Sequence, residues 1–456
     1  MWEWAAQAEA ALDSHRKGFS MRKRGVQQVT PERILSDLIR LKTVNPPGNE
    51  IEVVKYLKVL FDAAGIPYDI VEPERDRASI IARLGSGTKR LLFLSHSDVV
   101  PAGEGWDFDP FGGEISNGIV YGRGALDCKG LMAAQIYTLL RLARESRPLN
   151  GTLILAATAD EEKGGRFGVK YILEHCPEKI RADFAINEGG EEPVCLNGRM
   201  IYFIQVGEKG TAWSKLRAEG KSCHGSIPTL GENAITKMAA ALHALAGYEP
   251  EIRLIPEVEY LLRELLRVTC REHNISKDNL DNLLDEFPEQ SLAETLRAMT
   301  RMTVSPNVIQ GGSKTNIVPD YCSADVDIRI LPGQDELYVL SELRRYVGED
   351  IRIEVKNYVA PTFSTSQSEH YRLLEETTRE IAGEDILCLP HISPGATDSR
   401  FLRSAGIPSY GVGHMARDFD RSVMTTIHGR NERIDVASLH FQSEFLIALA
   451  ENFLAQ

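Results

Sequence analysis

The sequence predicts an α/β fold: a largely parallel sheet covered by helices on both faces, with a smaller α+β domain inserted into it. Short apolar segments bounded by turn residues alternate with segments of helical periodicity. The predicted strands are Ser79 to Leu84, Arg90 to Ser95, Thr152 to Thr158 and Asp183 to Ile186. Helices are predicted between them at Gly130 to Glu145 and Gly168 to His175. This alternation is typical of strands that are buried on both faces of a sheet.

The pattern changes after Val206, where strand segments and separate helices indicate an α+β domain. Its strands are predicted at Gly207 to Glu219 and Cys322 to Ile330, and its helices around Asn233 to Ala246 and Asp335 to Val347. A stretch rich in Leu, Glu and Arg, at about residues 257–303, has helical spacing and is interpreted as a helical insertion within this smaller domain. We therefore predict a larger domain made of residues 1–206 and 361–456, and a smaller one at residues 207–360.

Composition and charge exclude several classes of partner. The 456 residues carry a formal net charge of −13, and Lys and Arg are scattered rather than gathered into a stripe, which argues against nucleic acid as a partner. No apolar segment approaches the roughly 20 residues that a membrane helix needs. The seven cysteines form no CxxC pair, which suits a reducing compartment. We therefore expect a cytoplasmic protein with no membrane segment and no nucleic-acid partner.

A His-x-Asp sequence stands at the end of the apolar strand at Leu91 to Leu94. The two-residue strand period puts His96 and Asp98 on the same side of the chain. An imidazole that binds a metal usually donates its second ring N–H to a carboxylate, which fixes the tautomer, so Asp98 is suited to orient His96. By itself, the pattern more often reflects an unrelated His and Asp at a strand end.

Acidic side chains follow a glycine loop and two further predicted strands. The glycine loop at Gly122 to Gly124 leads to Asp127 just before a helix, where an aspartate is also a common N-cap. Glu161 and Glu162 follow the third predicted strand, and Glu188 follows the fourth. Adjacent glutamates at a strand end are usually solvated, but two carboxylates held together can take separate metal-binding and general-base roles.

The histidine and the acidic groups thus follow successive strands, where open α/β sheets place their ligand sites. A further histidine, His428, lies in a polar loop before the last helix, a position that also suits a surface histidine. Coincidence is the weaker explanation for the set as a whole. The sequence therefore predicts a site at the carboxyl edge of the sheet.

At these residues the chain resembles the family of co-catalytic zinc hydrolases that includes aminoacylase, carboxypeptidase G, acetylornithine deacetylase and succinyl-diaminopimelate desuccinylase. The matching segments span nearly the whole chain. They are His96 to Pro101, Trp106 to Gly130, the Glu161-Glu162 pair, Glu188, Ser222 to Ile235, Gly311 to Arg329, Gly395 to Phe401 and His428 to Ile434. The resemblance implies a di-zinc, aminopeptidase-like catalytic domain with an inserted α+β lid domain that mediates dimerisation.

The resemblance also implies a set of metal ligands and a general base. His96 and Glu188 would hold one zinc, Glu162 and His428 the other, and Asp127 would bridge them. Mixed His and carboxylate ligands with open positions suit a catalytic rather than a structural zinc site. Glu161 would be the general base, and a cis peptide bond would follow Asp127. Co²⁺ or Mn²⁺ is an alternative metal.

The remaining matches imply residues that act on the substrate. His224, in the smaller domain, would reach the active site of the partner in a homodimer and stabilise the oxyanion. Asn316 and Arg329 would contact the substrate, with Arg329 gripping its carboxylate through a bidentate pair. Gly395 and Thr397 lie in the segment that resembles the loop closing the substrate pocket.

The function implied is hydrolysis of an amide bond in an N-acyl amino acid or a small peptide with a free carboxylate, with an aminoacylase or carboxypeptidase S character. A dipeptidase or carboxypeptidase of the same fold is the near alternative. A non-catalytic, ligand-binding relative would lack Glu161 or several ligands, and all are present. A Mg²⁺-dependent phosphohydrolase would use oxygen ligands alone, whereas this set contains two histidines.

Overall fold

The computed structural model describes residues 29–145, 149–269 and 274–455. The first 28 residues of the predicted larger domain lie outside these ranges. The strands are β1 Tyr68–Glu74, β2 Arg77–Gly85, β3 Arg90–His96, β4 Glu114–Ser116, β5 Ile119–Tyr121, β6 Thr152–Thr158, β7 Phe184–Asn187, β8 Val194–Leu196, β9 Arg199–Glu208, β10 Gly210–Glu219, β11 Cys223–His224, β12 Thr303–Gly311, β13 Ile317–Val318, β14 Tyr321–Ile330, β15 Ile351–Val359, β16 Thr362–Phe363, β17 Leu387–Ser393, β18 Ser409–Val412 and β19 Arg433–Asp435.

Twelve α-helices are described in the same ranges. They are α1 Pro31–Arg40, α2 Ile51–Ala64, α3 Lys129–Glu145, α4 Val169–His175, α5 Ala234–Ala246, α6 Pro256–Val268, α7 Leu280–Asp285, α8 Gln290–Met299, α9 Glu336–Val347, α10 Glu369–Ala382, α11 Ser399–Ser404 and α12 Val436–Leu454. Among the described residues, no helix is long and apolar enough to cross a bilayer.

A ten-stranded mixed sheet forms the centre of what we call the large unit. Its strand order is β1-β2-β6-β3-β7-β18-β9-β16, and β8 and β17 also pair with β9. The central strand β3 runs parallel to both neighbours, β6 and β7. Parallel neighbours need crossover connections, which α3 and α4 supply. The predicted α/β fold is confirmed.

Both faces of this sheet are covered by helices, which explains why the sequence of β3 is continuously apolar. Leu91 and Phe93 join the core cluster that contains residues of α1, α2, α3 and α12. Leu92 and Leu94 point to the opposite face, into the cluster with Ile172 of α4 and residues of α11. A strand buried on both sides has no polar face, so its sequence does not alternate.

A four-stranded antiparallel sheet forms the small unit, in the order β12-β14-β10-β15. Helices α5 and α9 cover one of its faces. The chain leaves the large sheet at Glu208, enters β10 at Gly210, and returns between Val359 and Thr362. These two crossings lie against each other, since a Cβ atom on Gly210 would come 2.5 Å from the carbonyl oxygen of Val359. Glycine is therefore required at this point. We call the two crossings together the hinge of the small unit.

The helical insertion consists of α6, α7 and α8, and its packing corrects the sequence interpretation. Although the chain enters it from α5 and leaves it into β12 of the small unit, its apolar side chains belong to the core of the large unit. Leu261, Leu265 and Leu296 are fully buried there, and α6 lies against β17. Helical periodicity showed that this segment has an apolar face but not which of two cores receives that face.

We expect Leu265→Ala to lower the free energy of unfolding of the large unit by about 2–5 kcal/mol, because it leaves a cavity in the shared core. Denaturant titration followed by a probe in the large unit measures the change. Leu337→Ala is the matched control, since Leu337 is 74% exposed on α9 and should change stability by less than about 0.5 kcal/mol. Equal effects of the two substitutions would show that the insertion is not part of the core.

Candidate metal centre

The carboxyl ends of adjacent strands bring the predicted residues together. His96 ends β3, Glu161 follows β6, and Glu188 follows β7. Because β3 lies between β6 and β7 and is parallel to both, these ends meet at the same edge of the sheet. Asp127 precedes α3, and His428 lies in the loop between β18 and β19.

Asp127 lies between two histidine and glutamate groups. On one side, His96 Nε2 lies 3.0 Å from Asp127 Oδ1 and 3.4 Å from Glu188 Oε1. On the other side, His428 Nε2 lies 2.9 Å from Asp127 Oδ2 and 3.4 Å from Glu162 Oε2. Each carboxylate oxygen of Asp127 therefore faces a different histidine. The five predicted ligands form one cluster with a two-sided arrangement.

The donor set of this cluster fits divalent metal ions. Ligand atoms of His96, Asp127 and Glu162 lie within 4.8 Å of one another, and those of His96, Cys128 and Glu188 form a second such group. Glu162 Oε1 is buried and has no hydrogen-bond partner among the described residues, as expected for an atom whose partner is a cation. Imidazole and carboxylate donors together suit zinc and related transition metals.

The electrostatics of the cluster show an excess of buried negative charge. Burial raises the pKa of Glu188 to about 6 and raises that of Glu161 well above its usual value. Burial opposes the charge of Asp127 too, but hydrogen bonds with His428 and His96 outweigh this effect and lower its pKa. Hydrogen bonds to Asp127 and Glu162 raise the pKa of His428 to about 10. Each carboxylate thus requires positive charge nearby, which bound cations provide.

Asp98 is placed to hold the loop of the predicted general base. Its carboxylate accepts hydrogen bonds from the backbone N–H groups of Glu161 and Glu162, both at 3.2 Å, and from the Asn45 side chain at 2.8 Å. The nearest partner of His96 Nδ1 is the carbonyl oxygen of Asp98 at 2.9 Å, with the carboxylate at 3.6 Å. Asp98 therefore contacts His96 mainly through its backbone, and its side chain fixes the adjacent loop.

Sequence reasoning missed two buried networks that support the cluster. The carboxylate of Glu432 accepts hydrogen bonds from the backbone N–H groups of Gly124, Leu126 and Asp127 and from Arg123. It therefore fixes the glycine loop that delivers Asp127. The signal available was an acid four residues after His428 in the C-terminal motif.

The second network lies behind Glu161. Arg77 donates to both carboxylate oxygens of Glu50 and to Asp160, each at 2.8 Å, and Asn45 donates to Asp160 at 3.1 Å. Asp160 is in the left-handed backbone region, with φ at 72°. Asn45, Glu50 and Arg77 lie outside the recognised motifs, so the sequence did not point to them, whereas Asp160 directly precedes the Glu161-Glu162 pair.

The predicted substrate-binding residues His224 and Arg329 bond to neighbours within the small unit. His224 and Asn316 are exposed, and the His224 ring lies 2.7 Å from the Ser226 hydroxyl. Arg329 donates hydrogen bonds to both carboxylate oxygens of Asp327, at 2.7 and 3.2 Å. In the described ranges, none of the three predicted residues has a hydrogen bond to a predicted metal ligand.

Gly395 and Thr397 lie in the loop after β17 and differ in exposure. Gly395 is exposed, and its backbone N–H donates to the Ser393 hydroxyl at 3.1 Å. Thr397 is buried, and its hydroxyl donates to Glu208 Oε1 at 2.6 Å and accepts from the backbone N–H of Ser399 at 3.1 Å. The Thr397 hydroxyl thus bonds within the protein and connects this loop to the end of β9.

The Asp127–Cys128 peptide bond is cis, as the resemblance implied.

We expect Asp127→Ala to reduce the metal content below one ion per chain, because no other carboxylate of the cluster faces both histidines. Elemental analysis of protein purified by gel filtration measures this. Asp418→Ala, at an exposed position in the segment leading to His428, should retain the wild-type content. Two tightly bound ions in the Asp127 variant would refute its bridging role.

Comparisons with known proteins identify relatives of this chain. Residues 92–452 match Peptidase family M20/M25/M40. Human N-fatty-acyl-amino acid synthase/hydrolase PM20D1 is 30% identical over 456 residues, covering 93% of this chain and 88% of that protein. A probable succinyl-diaminopimelate desuccinylase of Staphylococcus aureus is 27% identical over 408 residues, covering 86% of this chain and 94% of that protein.

The solved structures show the same fold. The M20 family metallo-carboxypeptidase Sso-CP2 from Sulfolobus solfataricus superposes with a TM-score of 0.68 at 22% identity, covering 93% of this chain and 99% of that chain. The family match spans most of the chain, and the structural match covers 93% of it. The protein belongs to Peptidase family M20/M25/M40.

Proposed function

We propose that this protein hydrolyses an amide bond in an N-acyl amino acid or a small peptide with a free carboxylate, using two zinc ions. The observation that carries the proposal is the position of Asp127, whose two oxygens face two separate histidine and glutamate groups. The residues present fit a pair of divalent ions, with Co²⁺ or Mn²⁺ as alternatives. Two such ions would polarise the substrate carbonyl and lower the pKa of the attacking water.

Glu161 carries the proton transfers in this proposal. Glu161 precedes the predicted ligand Glu162, and its backbone N–H donates to the Asp98 carboxylate. In the described ranges, the Glu161 side chain forms no ion pair with His96 or His428, whereas the Glu162 side chain lies 3.4 Å from His428. A carboxylate in this position takes the proton from the attacking water and passes it to the nitrogen of the leaving amine.

The free carboxylate of the substrate is assigned to Arg329. Its guanidinium already holds a carboxylate, that of Asp327, and lies 5.9 Å from the centre of the Trp213 ring. Arg329 pairs across the sheet with Thr211, the residue that follows Gly210, so it lies close to the connection between the two units. Asn316 and the exposed loop at Gly395 are assigned to the same substrate.

The names of the relatives favour this substrate class. PM20D1 is an N-fatty-acyl-amino acid synthase/hydrolase, and the S. aureus relative is a probable desuccinylase, so both names describe acyl groups on amino-acid nitrogen. The structural neighbour Sso-CP2 is a metallo-carboxypeptidase, which favours peptide cleavage as the second candidate. A cytoplasmic location is part of the proposal, and the six described cysteines, all free, are in keeping with it.

We expect Glu161→Gln to lower kcat by about 10²–10⁴-fold or more while both metals remain bound, since proton transfer is lost and coordination is not. Hydrolysis of acetyl, succinyl and long-chain acyl amino acids and of dipeptides, together with metal analysis, tests this. Glu174→Gln, at an exposed position on α4, is the control and should keep full activity. More than a tenth of wild-type activity in the Glu161 variant would exclude it as the base.

The small unit offers a surface for the proposed homodimer. Strand β12 is the outer strand of its sheet, and seven of its nine residues are exposed. Val308 and Ile309 on this strand and Ile317 on β13 are large apolar residues with 44–55% exposure. His224 pairs with Ile317, so it lies on the same exposed side of the unit. An open apolar strand edge is suited to pair with the same edge of a second copy.

We expect inactive Glu161→Gln and weakly active His224→Ala proteins to restore activity when mixed under conditions of subunit exchange. If His224 serves the partner's site, each mixed dimer contains one site with both residues, and full exchange gives about a quarter of wild-type activity. The rate of hydrolysis before and after exchange measures this. Activity that stays at the mean of the separate variants would show that His224 acts within its own chain.

A further inference from the structure

Helix α8 of the helical insertion lies between the hinge of the small unit and the loops of the metal centre. It has ten residues, Gln290–Met299, and therefore spans about 15 Å. Three residues beyond its C-terminal end, the chain enters β12 of the small unit. Its N-cap residue, Glu289, is bonded to a different part of the protein.

At the C-terminal end, α8 is fastened to the hinge by Lys209. This residue stands between the last residue of β9 and the first of β10, and its side chain is buried. Its ammonium group donates to the carbonyl oxygens of Ala298 at 2.9 Å and Arg301 at 2.8 Å, and to the Thr303 hydroxyl at 3.3 Å. A cation is favourable at a helix C-terminus because the last carbonyl groups have no partner within the helix. The crossing from Glu208 to Gly210 is thereby joined to the C-terminal end of α8 and to the start of β12.

At the N-terminal end, α8 is fastened to the metal loops by Arg421. One guanidinium nitrogen lies 3.1 Å from Glu289 Oε2, and the other lies 3.3 Å from Glu192 Oε1. Arg421 begins the short 3-10 helix Arg421–Thr426 that leads to His428. Glu192 lies four residues after Glu188. One side chain thus connects the start of α8 to the loops of two predicted metal ligands.

The body of α8 is held rigidly between these ends. Leu292, Leu296 and Met299 are buried in the core of the large unit. Arg297 and Arg301 both form ion pairs with Asp281 of α7. A helix fixed along its length transmits a displacement of one end to the other, because a packed core has discrete arrangements rather than continuous ones.

We propose that α8 is a strut that couples the position of the small unit to the geometry of the metal loops. Lys209, Glu289 and Arg421 are its positioning residues; none of them touches the reacting atoms. The significance of this coupling for catalysis rests on the proposed function, because closure of the hinge would displace the loops of His428 and Glu188 through α8. The coupling itself is a property of the fold and is measurable without any substrate.

The test uses the zinc-loaded full-length protein and measures amide hydrogen exchange and the rate of metal loss to a chelator. We expect Lys209→Met to speed exchange in residues 421–428, which Lys209 does not contact, and to speed metal loss, each by about 2–30-fold. Glu289→Lys places a like charge against Arg421, and we expect it to speed exchange at the other end, in residues 208–212. Glu294→Lys is the matched control, because Glu294 is on the same helix but pairs with Arg297 of that helix.

Unchanged exchange in residues 421–428 of a folded Lys209→Met protein would overturn the proposal. If that variant does not fold, Glu289→Lys decides the question, since unchanged exchange at the hinge would equally overturn it. Effects of the same size in Glu294→Lys would show a general loss of stability rather than coupling. Failure of the hydrolysis assay would leave these outcomes intact, so the two proposals are tested separately.

Discussion

The concentration of carboxylates around His96 and His428 is the constraint on which the rest of the site depends. Asp98, Asp127 and Glu188 converge at one sheet edge, where burial penalises each negative charge. The fold offsets this penalty with hydrogen-bond donors that have no other use. Backbone N–H groups, Asn45 and the two histidines point inward at the acids. Bound divalent ions would add to this compensation, which would link metal binding to local stability.

The sequence predicted the parts of this arrangement that are encoded locally. β3 is a continuous apolar strand that ends in His96, and the acid pair that begins at Glu161 follows another apolar strand. The ends of these strands could therefore be recognised from the sequence. Because a parallel sheet brings such ends to one edge, their proximity could be inferred as well. The fold class and the family are confirmed. The five predicted ligands lie together, and the roles assigned to them remain predictions.

What the sequence could not predict depends on distant contacts. Glu432 binds a loop more than 300 residues earlier in the chain, and no local pattern marks such a partner. The same is true of the helical insertion, whose apolar face was clear while its destination was not. Thr397 shows another such contact, because its hydroxyl is bonded to Glu208, while its predicted role in substrate binding stays a prediction. Motifs indicate which side chains gather, and tertiary packing decides which of their atoms remain available.

The two halves of the centre differ in their access to water. The side chain of His96 is 1% exposed, whereas that of His428 is 54% exposed, and His428 sits on a loop with a left-handed backbone conformation, φ 57°. Water and competing ligands therefore reach the His428 side chain far more readily than the His96 side chain. An ion bound by His428 would accordingly exchange with the medium faster than an ion bound by His96.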